Sequence, residues 1–180
     1  PQLKPLFRER KIRDLSRKHW LAKKRAVDAL RPVIVSPSRA YAQKAGESAL
    51  LGPCRVEHIP NCLDCSLFQP LDRGFAREAL NLPPDAQILF FSAMSATTDH
   101  NKGFDLLLEA LERLKAMQAV DPERVVCLVA GSAATENTTF PFAFRFLGEL
   151  RDEYSLALAY NSSDLFVCPS RQESFSNTVM

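Results

Sequence analysis

The chain has 180 residues, of which 46% are hydrophobic and 24% charged, with a formal net charge of +2. This composition predicts a packed soluble core. No apolar run approaches the ~18 residues that span a bilayer, and residues 1–13 are polar and basic without the apolar stretch of a secretory signal.

The positive charge is concentrated at the start of the chain. Residues 1–31 contain eleven Lys and Arg against three acids, whereas the rest contains twelve against eighteen. Apolar side chains at helical spacing predict a helix over 8–30, which Arg31-Pro32 ends. The predicted apolar stripe consists of Ile12, Leu15, His19, Ala22, Ala26 and Ala29. We expect His19 to be packed rather than catalytic. The basic surface either contacts an anionic partner or is simply solvated.

Short elements follow the basic helix. Residues 33–35 are apolar and predict a buried strand, and Ser38 can cap a helix over 39–51. Residues 55–59 predict a second extended segment, and 61–71 a loop or linker.

From about residue 60 the pattern indicates an α/β domain. The predicted helices cover 73–81, 103–119 and 151–161, and the predicted strands cover 87–92, 124–130, 142–147 and 164–168. The inner face of the middle helix is predicted to contain Phe104, Leu107, Leu108, Leu111 and Leu114. Apolar strands alternating with helices are typical of a parallel sheet covered on both faces, so we predict a doubly wound, Rossmann-like sheet. Its last strand would leave an apolar edge that favours self-association.

The five cysteines indicate a reducing environment. Cys127 and Cys168 lie in apolar runs, which predicts buried, reduced thiols and favours the cytosol. Cys62 and Cys65 have C-x-x-C spacing, but His58 is the single extra ligand nearby. We therefore expect neither a zinc site nor a redox site there.

The loops after the strands are the candidate binding sites, because ligands of open parallel sheets lie beyond the carboxyl ends of the strands. The first loop is small and polar, includes His100, and ends at Lys102 directly before a helix. A lysine beside a helix N-terminus suits a phosphate, since the helix dipole and free N–H groups add to its charge. A surface lysine without a ligand is the alternative.

The remaining loops offer weaker signals. Residues 131–135 and Gly148-Glu149 contain glycines that would let a ligand approach the backbone. In the last loop, Glu173 could accept hydrogen bonds from sugar hydroxyls, and the N–H groups of 175–177 could meet phosphate. An ordinary helix N-cap is the alternative. The chain has no P-loop, no G-x-G-x-x-G and no Ser-His-Asp or Cys-His set, which argues against nucleotide hydrolysis and dinucleotide redox chemistry.

Five ordered segments within 33–180 resemble the family 4 (group 1) retaining glycosyltransferases, which have the GT-B fold. Ser36-Pro37-Ser38 resembles the end of the acceptor-side domain, and 58–64 with Phe68-Gln69-Pro70 resembles the family's interdomain segment. Residues 101–110 resemble its K-G-x-x-x-L-L-x-A stretch. Residues 129–131 and 146–148 resemble the ends of two strands, and 163–175 resemble its A-D-x-x-x-x-P-S-x-x-E-x-F signature.

The resemblance implies a domain division and roles for individual residues. Residues 1–59 would be a remnant of the acceptor-side domain and 60–180 a truncated donor-binding domain. Lys102 would pair with the donor's diphosphate and Glu173 would contact the sugar hydroxyls, and these two are the candidate catalytic residues. The full set of candidate donor-binding residues is Ser92, Asn101, Lys102, Gly103, Gly131, Leu147, Gly148, Glu173, Ser174, Phe175, Ser176 and Asn177. The second glutamate of the family motif would fall one residue after Met180.

The chain also departs from the family pattern. Ser92-Ala93 stands where the family commonly has Gly-Arg, Cys62 replaces a usual glycine, and Ser176 replaces a frequent glycine. The resemblance therefore supplies one diphosphate-binding cation, Lys102, rather than two.

The resemblance implies sugar transfer with retention from a nucleotide-diphosphate sugar to a glycan or lipid-linked acceptor, as in polysaccharide biosynthesis. We expect no cofactor and no obligatory metal, because cations and helix N–H groups can stabilise the leaving diphosphate. We also expect a cytoplasmic location, peripheral contact of the basic helix with an anionic membrane, and no nucleic-acid partner. The alternatives are a non-catalytic nucleotide- or sugar-binding module and a basic-helix adaptor for membranes or nucleic acid.

Overall fold

The structure is a computed structural model that describes residues 15–133 and 140–180. The chain divides into two compact units, Pro1–Asn61 and Cys62–Met180. Several expectations lie outside the described residues: the start of the basic helix with Ile12, and Ala134 and Thr135 in one candidate loop. The interpretation of the first unit as part of an acceptor-side domain stays a prediction.

The described part of the first unit, residues 15–61, contains two helices and a two-stranded parallel sheet. Its elements are α1 (Leu15–Leu30), β1 (Ile34–Ser36), α2 (Arg39–Gly46) and β2 (Val56–His58). Helix α2 ends earlier than expected, because Glu47 caps it and the Ser48 hydroxyl accepts the Leu50 and Leu51 N–H groups to form a turn.

The exposure of α1 and β1 differs from the prediction. None of the described residues of α1 is buried, so the expected packing of its stripe, including His19, is wrong. Three of the six stripe residues are alanines, which bring little apolar surface to bury. In β1, the flanking Val33 and the central Val35 are 54% and 56% exposed, which corrects the expectation of a buried strand.

The second unit alternates helices with strands. Its helices are α3 (Arg73–Ala79), α4 (Phe104–Ala116) and α5 (Glu153–Ser162), and its strands are β3 (Gln87–Ser92), β4 (Val125–Ala130), β5 (Ala143–Gly148) and β6 (Leu165–Phe166). The strands form one sheet in the order β5-β4-β3-β6, with every pair parallel.

Both faces of this sheet are covered, which confirms the doubly wound prediction. All six residues of β4 are buried, and they alternate between two cores. One core contains Val125, Cys127 and Val129, together with Phe104, Leu107 and Leu111 of α4. Val126, Leu128 and Ala130 pack in the other core with Ala159 of α5. Because successive side chains of a strand point to opposite faces, the two cores lie on opposite sides of the sheet. Leu108 and Leu114 are partly buried against the first core, as predicted.

The last strand is shorter than predicted. β6 contains two residues rather than the five of 164–168. Directly before it, the Asp164 N–H donates to the Ile88 carbonyl of β3. The Asp164 carboxylate accepts hydrogen bonds from Arg73, Arg77 and the Ile88 N–H at 2.6–2.8 Å. After Val167 the chain leaves the sheet, and Cys168 is exposed rather than buried.

Candidate functional site

The strand order changes direction at β3 and β6. The chain passes from β3 to β4 on one side and reaches β6 on the other side of β3, so a topological switch point lies between β3 and β6. Such a topological switch point is where open α/β sheets hold their ligands. We call the two loops that follow these strands, 93–103 and 167–177, the switch-point loops.

The switch-point loops bring Lys102 and Glu173 together. The Lys102 Nζ lies 2.8 Å from the Glu173 Oε1, although the two residues are 71 positions apart, and each side chain is 28% exposed. The hydrogen bond from Lys102 holds the pKa of Glu173 below its ordinary value, and a bond with the Ser170 side chain acts in the same direction. The same pair raises the pKa of Lys102. The free structure therefore contains a fully ionised pair at neutral pH.

Local backbone chemistry places Lys102. The Asp99 side chain accepts the Asn101 N–H and caps a 3-10 turn, His100–Lys102. Gly103 follows with φ 71°, and a Cβ built there would lie 2.3 Å from the Pro169 carbonyl oxygen. Only glycine permits both the positive φ and this close approach of the two switch-point loops.

Arg171 makes further bonds between the same two loops. Its main-chain N–H donates to the Asn101 carbonyl at 2.8 Å. Its guanidinium donates to the His100 carbonyl at 2.6 Å and to both oxygens of Asp105 at 2.9 and 2.6 Å. The bonds from the guanidinium to Asp105 lower the pKa of this carboxyl group to about 2. The sequence interpretation missed both residues, because nothing in the local pattern shows that they pair.

In the neighbouring loops, Gly131 serves internal packing. A Cβ on Gly131, at φ 94°, would lie 1.9 Å from the Ala93 carbonyl oxygen, and the Gly131 N–H donates to the Gly148 carbonyl at 2.7 Å. The need for glycine at 131 is thus explained by the chain itself rather than by a ligand. Ser92 pairs with Ala130 at the end of β3, and Leu147 precedes Gly148 at the end of β5.

The final segment, where the sequence predicts a helix start, contains a turn. Residues 177–179 form this turn, in which the N–H groups of Val179 and Met180 both donate to the Ser176 carbonyl. The Tyr160 hydroxyl donates to the Thr178 carbonyl at 2.7 Å and ties the turn to α5. Ser174 and Asn177 are exposed, whereas Phe175 and Ser176 are partly buried.

Other candidate residues are not assembled into a site. His100 is 77% exposed, with its Nδ1 4.0 Å from Asp105, and Cys62 and Cys65 are exposed free thiols. Over 15–133 and 140–180, no group of three or more His, Cys, Asp or Glu side chains is arranged to hold a metal ion. In the same residues, no helix has the length and apolar character needed to cross a membrane.

The fold and the paired loops define a Rossmann-like α/β domain of the class that holds its ligand at a topological switch point. Residues 85–180 match the family model described as "Glycosyl transferases group 1". The chain belongs to this glycosyltransferase family, as its motifs predict.

Curated relatives support this assignment over more of the chain. The "D-inositol 3-phosphate glycosyltransferase 2" of Catenulispora acidiphila is 33% identical over 135 residues, which cover 68% of this chain and 31% of that protein. The "D-inositol 3-phosphate glycosyltransferase" of Nocardioides sp. is 32% identical over 123 residues, or 67% of this chain and 26% of that protein. The chain thus spans about a third of the length of the curated relatives it matches.

Solved structures share the fold. Sucrose-phosphate synthase from Thermosynechococcus elongatus superposes with a TM-score of 0.60 at 22% identity, over 96% of this chain and 42% of that one. Anabaena HepE, solved in complex with UDP and glucose, superposes with a TM-score of 0.59 at 20% identity, over 92% and 46%. These likenesses confirm the predicted GT-B type of parallel α/β fold.

Proposed function

We propose that the chain binds a nucleotide-diphosphate sugar at the switch-point loops and that the longer parent protein transfers the sugar, with retention, to a glycan or lipid-linked acceptor. The observation that carries this proposal is the 2.8 Å contact between Lys102 and Glu173 at the switch point. A cation suits the diphosphate, and a carboxylate suits the sugar hydroxyls. The UDP and glucose of Anabaena HepE, which has the same fold, are ligands of this type.

The dimensions of the sheet accommodate such a ligand. Three strand spacings separate β6 from β5, so the edge extends over roughly 14 Å. In the proposed pose the sugar lies at Glu173 and the diphosphate lies against Lys102 and the amides of 175–177. The nucleoside then runs past Ser92, Asn101, Gly103 and Gly131 toward Leu147 and Gly148.

Donor binding would change the partner of Lys102. In the free protein Glu173 neutralises Lys102. When a diphosphate binds beside this pair, its negative charge and that of the Glu173 carboxylate repel each other. The diphosphate oxygens would therefore take over the ammonium, which frees the Glu173 oxygens for sugar hydroxyls. As the bond to the sugar breaks, negative charge grows on the diphosphate, and a fixed cation with backbone N–H groups stabilises it without an obligatory metal.

Nucleotide titration of the 180-residue chain tests this proposal. We expect calorimetry with UDP, GDP and ADP to find at least one ligand, and Lys102→Met to weaken its binding by about 1–3 kcal/mol, or roughly 5- to 150-fold. The matched control is Lys115→Met, because Lys115 lies in the last turn of α4 and outside the switch-point loops. Equal affinities of the wild type and Lys102→Met, or no binding to a chain that circular dichroism shows to be folded, would overturn the proposal.

Catalysis is tested on the longer parent. The substrate is the sugar form of the nucleotide that binds in the titration. Release of free sugar from it, or transfer of its sugar to an acceptor, distinguishes a transferase from a non-catalytic binding module. Nucleotide binding without turnover by the parent would favour the binding module.

The basic helix α1 supports a proposed peripheral contact with anionic membrane at the cytoplasmic face. Lys23, Lys24 and Arg25 are consecutive cations on a helix without buried residues, and each basic residue near an anionic surface contributes about 1 kcal/mol. Replacing the three with Gln should abolish sedimentation with phosphatidylserine vesicles. Unchanged sedimentation would refute the contact, and binding of duplex DNA would instead favour the adaptor alternative.

β6 lies at one edge of the sheet formed by the described residues, and this position supports proposed self-association. Leu165 is 56% exposed on this edge strand, and unpaired strand edges template pairing with another chain. Light scattering should show an oligomer that Leu165→Lys converts to a monomer, and a monomeric wild type would refute the proposal.

A further inference from the structure

Lys102 is flanked on both sides in sequence by residues that a single arginine contacts. Arg171 binds the carbonyl groups of His100 and Asn101, which precede the lysine, and the carboxylate of Asp105, which follows it. We propose that Arg171 is a positioning residue, which fastens the loop after β6 to the start of α4 and so keeps Lys102 within reach of Glu173. This inference rests on the proposed donor site.

The turn that carries Lys102 needs such support. His100–Lys102 is one turn of 3-10 helix, and helices this short have little stability of their own. Arg171 satisfies two carbonyl groups of this segment from outside. It therefore restrains the backbone from which the long, flexible Lys102 side chain extends.

The shape of the guanidinium suits this role and that of an ammonium does not. Nη1 bonds the His100 carbonyl and Asp105 Oδ1, while Nη2 bonds Asp105 Oδ2 at 2.6 Å. This planar, bidentate arrangement fixes both distance and orientation, whereas a lysine supplies a point charge.

The two loops also approach at the level of the backbone, so small displacements matter. The Cβ that Gly103 lacks would lie 2.3 Å from the Pro169 carbonyl oxygen. Any drift of one loop therefore alters this contact and the Lys102–Glu173 distance together. The Asp105 side chain is 54% exposed, and exposed ion pairs add little to overall stability. Loss of the arginine should accordingly disturb the loops more than it promotes unfolding.

The test measures the pKa of the Glu173 carboxyl group by carbon-detected NMR, which reports on the contact between the two loops. In Arg171→Gln we expect the pKa of Glu173 to rise toward its ordinary value as the bond from Lys102 loosens. We also expect the affinity for the nucleotide found by calorimetry to fall on the order of ten-fold, because Lys102 is no longer held in place. Asp105→Asn should reproduce both changes, and the double variant should add little. Arg171→Lys keeps the positive charge but loses the planar, bidentate contact with Asp105, so it should behave like Arg171→Gln.

The matched control is Arg113→Gln. Arg113 forms an exposed pair with Glu109 on the same helix at 2.5 Å, outside the switch-point loops, so its loss should change neither measurement. An unchanged Glu173 titration in folded Arg171→Gln overturns the inference, as does full restoration by Arg171→Lys, which would assign the effect to charge alone. A shifted titration in a chain that binds no UDP, GDP or ADP supports the role of Arg171 while refuting the proposed donor site.

Discussion

Replacing Gly131 with alanine should destabilise the second unit strongly, for two additive reasons. A side chain at φ 94° is strained, at a cost of roughly 1–2 kcal/mol. The new Cβ would also lie 1.9 Å from the Ala93 carbonyl oxygen and 2.8 Å from its carbon. Backbone must therefore move, which strains the bonds from Gly131 N–H to Gly148 and from Ala93 N–H to Ala130. Each of these contributes about 0.5–1.5 kcal/mol, so we expect a total loss of ~2–5 kcal/mol.

Gly148→Ala separates the two causes. Gly148 has φ 69°, but no atom lies within 4 Å of its built Cβ. Its replacement should therefore cost only the conformational part, roughly 1–2 kcal/mol. Hydrogen exchange of the buried β4 amides measures the opening free energy of this unit in each variant. If Gly131→Ala proves no more destabilising than Gly148→Ala, then the loops after β3 and β4 are not packed as closely as the structure has them.

Three further measurements probe the core and the ion pairs. Leu128→Ala should cost about 2–5 kcal/mol because Leu128 is fully buried, whereas Leu106→Ala at a 38% exposed position should cost much less in the same exchange experiment. The pKa values of Glu173 and Asp105 are lowered in the folded protein. The stability that these two carboxylates contribute is therefore complete above their ordinary pKa values, and it is lost as the pH falls through the lowered pKa values. Glu173→Gln should accordingly flatten the decline of the urea midpoint as the pH falls below the ordinary pKa of a glutamate, and an unchanged decline would contradict the pairing. Burial raises the pKa of Cys127 to about 12, so this thiol should resist Ellman's reagent in the folded chain. The rapidly reacting thiols should be the exposed ones, Cys62, Cys65 and Cys168.

The parts of the fold that depend on local pattern were predictable. The bounds of β3 agree with the prediction residue for residue, and β4 differs by one residue at its start. The inner face of α4 was also predicted, because its leucines recur at helical spacing around a single core. In these elements each residue's environment follows from its neighbours in sequence.

The errors concern residues whose environment depends on distant parts of the chain. The stripe of α1 has the right period, but period does not show whether a partner surface exists. Cys168 lies in an apolar run, yet it is exposed because the chain turns out of the sheet after Val167. Asp164 looked like the start of a strand, and its contacts with Arg73 and Arg77 lie 91 and 87 positions away.

The residues of the candidate site also divide into those that local sequence predicts and those that depend on distant contacts. Lys102 and Glu173 were identified because both follow strands and match motif positions, and the strand order explains why they meet. Arg171 and Asp105 carry no comparable signal. Their pairing over 66 positions depends on the conformations of both switch-point loops.

The charge balance of the switch-point loops constrains how an anion would bind there. Lys102 and Arg171 are each matched by a carboxylate, Glu173 and Asp105, and Asp99 adds a further negative charge that raises the pKa of Lys102. These side chains together therefore present no excess of positive charge that would attract a diphosphate over a distance. Any affinity for a diphosphate must come from short-range exchange of partners at Lys102 and from backbone N–H groups. For this reason the precise placement of the lysine, which Arg171 is proposed to maintain, matters more to such a site than its net charge.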